Sequence, residues 1–326
     1  MNKYFKILLG TIVSALGLYL AFYGEDFDGL WLQIQQVNWG SFWSACVLLL
    51  LSCIIRAYRW QLLLDPVEKI PLHPLFASTM IGYFGNGVLA FRLGELLRAY
   101  SISIDRTISV SQAFGTIILE RIMDLLMVVL VFILVIPWFP FEYQWLRLGV
   151  YLFSAITFGL IFFIFLVARF KWINKIRENE FFHSGLGLKI FHGIQRIFDG
   201  VTIIRKTRHT FAITVTSFII WSIYFYMTYI ILHSCNIDLG FIGTGILLVI
   251  GSVVIGIPAL PGSAGTYDAG VKYGLMVVFS IASEKALTYA IVSHAVSYLP
   301  VVLVGAVYFI LGSVKIKDVH PEEIMS

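Results

Sequence analysis

The chain has 326 residues, 59% of them Ala, Val, Ile, Leu, Met, Phe, Trp, Tyr or Cys and 13% charged, with a formal net charge of +4. Soluble domains carry about 25% charged residues, and so few charges cannot coat a water-exposed surface. With a mean hydropathy of +0.87, the composition excludes a soluble enzyme and indicates a polytopic membrane protein.

Segments of about 20 mostly apolar residues are candidate spans. In chain order these are Ile7–Gly24, Ser41–Leu64, Ser109–Trp138, Gly149–Ala168, Phe211–His233 and Ala286–Gly312. The first has the basic flank of a signal peptide (Lys3, Lys6) but no clean cleavage site, and is expected to remain as a helix. Two further apolar regions, Pro74–Tyr100 and Phe241–Ile281, are interrupted by turn residues: Asn86-Gly87 in the first, and Pro258, Pro261, Gly262, Gly265 and Gly270 in the second.

Lysines and arginines set the orientation. They lie before the first span, through the long connection Lys171–His209 and after the last span (Lys315, Lys317), while the connection after Gly24 carries Glu25, Asp26 and Asp28. Both termini and 171–209 are expected in the cytoplasm. Each interrupted region then starts and ends on one side, as a re-entrant hairpin or a pair of short spans. The first enters from the cytoplasm and the second from outside, the pattern of an inverted repeat whose broken helices meet near the midplane.

The expected fold is an all-α polytopic membrane protein. It has about six full spans plus two re-entrant or broken helical hairpins arranged as an inverted repeat. It forms one integral membrane domain over 1–326, with halves of 1–148 and 149–326. Ile190, Ile194, Ile197 and Phe198 oppose Lys189 and Arg196, so 171–209 reads as either an amphipathic surface helix or a solvated linker.

Charges inside spans are costly and need named partners. Ser109 and Gln112 form the S-x-x-Q of a capping box, which puts Glu120 about 16 Å along its helix. Glu120 and Asp124 share a face, and Arg121 reaches Asp124 at a spacing of three. Two acids beside one arginine require another cation, for which Arg56 and Arg92 are candidates. Arg59, nearer its helix end than Arg56, is expected to snorkel to the interface.

The run Asn86 to Arg98 sets Arg92, Gly94, Glu95 and Arg98 around a helix break. Glycine permits close approach of a ligand, and guanidinium geometry suits phosphate. Glu95 either orients Arg92 or Arg98 or carries a proton. The second break, Leu260 to Asp268, also ends in an acid; Asp268 reads as a helix-start residue or as a member of the site. His294 in the last span is either a satisfied core histidine or a proton relay.

Basic residues that flank apolar runs make nucleic acid a poor partner. Cys46, Cys53 and Cys235 lack metal or disulfide spacing and read as core residues. There is no P-loop, HExxH or GxSxG. No cofactor, metal or catalytic residue is expected.

On Leu89 to Tyr100, Glu120-Arg121-Ile122-Met123-Asp124-Leu125, Arg56-Ala57-Tyr58-Arg59-Trp60, Leu260 to Gly265 and Tyr298-Leu299-Pro300, the chain resembles the membrane part of lysylphosphatidylglycerol synthases, the flippase-like integral membrane family. The motifs recur in order along essentially the whole chain, without sequence for the aminoacyl-transferring domain. The resemblance implies a flippase of the cell membrane. It would move a phospholipid or a polyprenyl-phosphate-linked headgroup between leaflets through a polar cavity, and a homodimer is compatible with it.

The candidate substrate-binding residues are Arg56, Arg92, Gly94, Glu95, Arg98, Glu120, Arg121, Asp124, Gly262, Gly265, Asp268 and His294. Two rival readings stay open. One is a membrane-embedded transferase, for which Glu25, Asp26 and Asp28 would have to hold a metal at the membrane surface. The other is a scaffold for a soluble enzyme.

Overall fold

The computed structural model describes residues 12, 15–89, 93–138, 148, 151, 155, 159, 207–256 and 261–312. Nearly all of the expected span Gly149–Ala168 and of the connection Lys171–His209 lies outside the described residues, as do Arg92 and both chain ends. The described part is helical, without strands.

Residues 15–22 are helical. The helices that follow are α1 Phe27–Gln35, α2 Trp39–Leu64, α3 Leu72–Val88, α4 Gly94–Ser103, α5 Val110–Val135, α6 Thr210–Ser234, α7 Gly240–Ile255, α8 Thr266–Phe279 and α9 Ser283–Leu311. Helices α2, α6 and α9 are long and apolar enough to cross a membrane. Helix α5 matches them in length but carries Glu120, Arg121 and Asp124 near its middle. Leu303, Val307, Ile310 and Leu311 of α9 are exposed, as are Tyr23, Trp31, Trp39 and Trp43 around the start of α2. A continuous apolar surface edged with such aromatics fits a bilayer.

Local chemistry places the ends. Ser109 Oγ accepts the Gln112 N–H at 3.2 Å, and Gln112 Oε1 accepts the Ser109 N–H at 3.2 Å, the expected capping box. Asn38 caps α2 by accepting from Gly40 and Ser41. The acidic connection after Gly24 contains α1. Asp26 caps it by accepting the Asp28 N–H at 3.0 Å.

The first break does not fall at Asn86-Gly87. Helix α3 runs through both residues to Val88, and α4 starts at Gly94. The pair does other work. Asn86 Oδ1 accepts the Gly94 N–H at 3.0 Å, and the Gly87 carbonyl accepts from the Tyr298 hydroxyl at 3.1 Å. Helix α4 folds back against α3 so closely that a Cβ on Gly94 would sit 2.0 Å from the Gly82 carbonyl oxygen. The second break follows Gly256 and includes the 3-10 turn Pro261–Ser263. Gly262, Ser263 and Gly265 all have positive φ, a conformation that favours glycine.

Packing pairs the two halves. Helices α2 and α6 pack together; α3 lies on α9 while α7 lies on α5; α4 packs on α5 as α8 packs on α9. Helix α3 also touches the 3-10 turn of the second break. The C-terminal end of α3 and the second break therefore meet at Tyr298, whose ring also lies against Gly262. Cys46, Cys53 and Cys235 are buried in the core, as read.

Candidate functional site

The carboxylates of α5 sit in a cage of guanidiniums. Asp124 Oδ2 is 2.6 Å from Arg56 Nη1, and its Oδ1 is 2.9 Å from Arg59 Nη2. Glu120, wholly buried, has Oε2 2.7 Å from Arg98 Nη1 and Oε1 3.6 Å from Arg59 Nη2. Arg121 lies 3.7 Å from Asp124, as its spacing predicts, but its closer partner is Glu95, with Nε 2.8 Å from Oε1. Three helices converge to build this network: α2 supplies Arg56 and Arg59, α4 supplies Glu95 and Arg98, and α5 supplies the rest.

Two readings are corrected here. Arg59 does not snorkel. It is fully buried and donates to Ser217 on α6 at 3.0 Å as well as to Asp124. Its position three residues after Arg56 puts both on one helical face, the signal that would have found it. Glu95 orients Arg121, not Arg98. Arg98 instead pairs with Glu120 and stacks 3.9 Å over the Trp60 ring, a cation–π contact. Trp60 in turn donates to Thr116 at 2.8 Å.

Arg56 supplies the further cation that the two acids of α5 require. Among the described residues four guanidiniums face three carboxylates, leaving one positive charge in excess. Arg98 keeps Nε and Nη2 buried without a hydrogen-bond partner among those residues. Such donors are costly unless something satisfies them.

The second-half site is smaller. His294 Nδ1 lies 2.8 Å from Asp268 Oδ1, and Nε2 lies 2.9 Å from the Gly262 carbonyl oxygen. Asp268 Oδ2 accepts the Gly265 N–H at 2.9 Å. Asp268 is therefore a helix-start residue and a histidine partner at once.

Both groups face common space. A cavity of about 210 Å³ is lined by Glu95 and Arg121 from the first half and by Gly262, Tyr267, His294 and Tyr298 from the second. A neighbouring cavity of about 430 Å³ reaches Arg56 and Asp124 and shares Tyr83, Arg121, Tyr267 and Ser297 with the first. Of the candidate residues, Arg56, Glu95, Arg121, Asp124, Gly262 and His294 line this space. Arg98 and Glu120 stand behind them, while Gly94 and Gly265 shape the backbone. The tyrosines were missed, because an aromatic in an apolar run carries no sequence signal of its own.

The acidic cluster near Gly24 is already engaged. Glu25 bonds Lys272 at 2.5 Å and also Ser283, and Asp26 caps α1. No group of metal-ligating side chains occurs among the described residues.

Apolar helices around a buried, charged cavity define a polytopic helical membrane protein. The model of one family, the lysylphosphatidylglycerol synthase TM region, matches residues 7–305. The chain belongs to that family, and hence to membrane proteins of lipid-related function. No curated protein and no solved structure matches it.

Proposed function

We propose that the protein is a lipid flippase-like transporter. It moves an anionic phospholipid or polyprenyl-phosphate headgroup through the central cavity while the acyl or prenyl tail stays in the bilayer, and leaves the lipid chemically unchanged. The observation that carries this is the buried guanidinium excess facing a cavity shared by both halves. A buried charge without a counter-ion is strongly unfavourable, and a phosphate supplies one. Arg121 and Arg56 are the guanidiniums on the cavity wall, with Arg98 of α4 behind them. Family membership in lipid-related membrane proteins points the same way.

The packing pairs support an inverted repeat, because exchanging the halves maps the contacts among α2–α5 and α6–α9 onto one another. In this reading the termini and 171–209 are cytoplasmic and the protein sits in the cell membrane. The engagement of Glu25 and Asp26 counts against the transferase alternative.

Reconstitution into vesicles with headgroup-labelled lipids tests this. Anionic lipids are expected to cross faster than zwitterionic ones and to be recovered unchanged. Arg92→Lys and Arg121→Lys, which keep charge but lose the planar fork, should slow the crossing. A chemically modified lipid would establish the transferase. Rates equal to those of empty vesicles for every lipid would sink both.

A further inference from the structure

His294 stands between two acceptors. A carboxylate oxygen of Asp268 lies 2.8 Å from one ring nitrogen and the Gly262 carbonyl oxygen lies 2.9 Å from the other. A carbonyl can only accept, so Nε2 must carry a proton. The Nδ1 contact needs a second proton, held on the ring or on the carboxyl. The pair therefore holds two protons wherever the shared one sits.

The bond to Gly262 crosses the break. His294 belongs to α9, Asp268 to α8, and Gly262 to the 3-10 turn whose other side meets Tyr298 and α3. Remove one proton and one of the two contacts becomes acceptor against acceptor. The contact to the carboxylate is the charge-assisted and stronger one, so the neutral ring keeps Asp268 and releases Gly262. The ionisable groups facing the ring are Asp268 and Tyr267 from α8 and Tyr298 from its own helix, with Tyr83 of α3, Glu95 of α4 and Arg121 of α5 across the cavity. Arg121 is already engaged by Glu95, which leaves Asp268 as the carboxylate in contact with the ring.

We infer that His294 and Asp268 form a proton-binding latch on the second broken segment, and that its release couples lipid movement to a proton gradient. This rests on the flippase reading and adds the source of its energy. The arginines of the first half keep their charge at any physiological pH, so they hold an anion without responding to protons. The histidine supplies the response.

The test uses full-length protein in vesicles with a headgroup-labelled phosphatidylglycerol and an imposed pH difference. If one proton is exchanged per lipid, one pH unit should shift the label between leaflets about tenfold from equality. His294→Gln should abolish that shift. Should this variant fail to fold, the wild-type result decides: movement that ends with equal leaflets under the gradient overturns the coupling and leaves the flippase standing. No movement of any lipid overturns the flippase reading itself, and the coupling with it. The proton count is read independently by NMR on protein labelled at histidine and aspartate. Two protons on the pair at pH 7 support the latch, whereas an ionised Asp268 beside a singly protonated ring overturns it.

Discussion

The two broken segments solve the same problem with different chemistry. The first is held by a side chain: Asn86 captures the Gly94 N–H, and the charges that follow are locked into four arginines and three carboxylates. The second is held by backbone conformation, with positive φ at Gly262, Ser263 and Gly265, and by one histidine bridging Asp268 to a carbonyl. The first half thus carries a network of ion pairs and the second a single histidine–carboxylate contact. Similar packing of the halves therefore does not imply equivalent chemistry at the two breaks.

Breaking the fixed network should give the largest effect. Glu120→Gln leaves Arg98 and Arg59 without a full counter-charge in a buried site, and such losses cost about 3–5 kcal/mol. Thermal unfolding in detergent should show it clearly. A variant as stable as wild type would mean that the arginines have other partners.

Gly94→Ala asks whether the α3–α4 hairpin needs its close approach. The added methyl meets the Gly82 carbonyl oxygen and the Asn86 nitrogen, so the hairpin must open. Overpacking of this kind costs about 1–3 kcal/mol, to be compared with an alanine at Gly251, where a Cβ meets nothing within 4 Å.

Arg121→Gln separates binding from folding. This side chain is 39% exposed to the cavity, so stability should change by less than about 1 kcal/mol, in the range of exposed pairs. Anionic-lipid transport should nevertheless fall. Equal loss of both would place Arg121 with the structural arginines.

The smallest effect lies outside the membrane-spanning helices. Glu68 accepts from the Thr107 hydroxyl and from the Thr107 and Ile108 N–H groups, and chiefly the Thr107 hydroxyl holds its carboxyl below the usual range. A lowered native value means that its contribution is complete above the ordinary carboxylate pKa near ~4.3. It is lost as pH falls through the lowered native value. A melting series from pH 6 downward should therefore show a small extra acid sensitivity that Glu68→Gln lacks.

Much of the helical layout was legible because a bilayer imposes length and hydropathy directly. Ser41–Leu64, Phe211–His233 and Ala286–Gly312 fall within three residues of α2, α6 and α9 at each end. The capping box at Ser109 set the start of α5 for a local reason, since its partners are three residues apart. Asn86-Gly87 was misread because the same residues serve as a turn or as partners for a distant chain segment, and only the neighbour decides which.

By itself the sequence determined which segments are apolar enough to enter the membrane, that Glu120 and Asp124 lie within one of them, and that two apolar regions are interrupted. Those are properties of residues and their near neighbours. Tertiary structure alone decided which charges pair. Arg59, expected at the interface, is buried against Asp124 because α2 packs beside α5 and α6. Likewise His294 acquires two acceptors only where α8, α9 and the 3-10 turn converge. Coulomb and hydrogen-bond energies depend on distances of a few ångströms between elements far apart in the chain, and no local pattern encodes those distances.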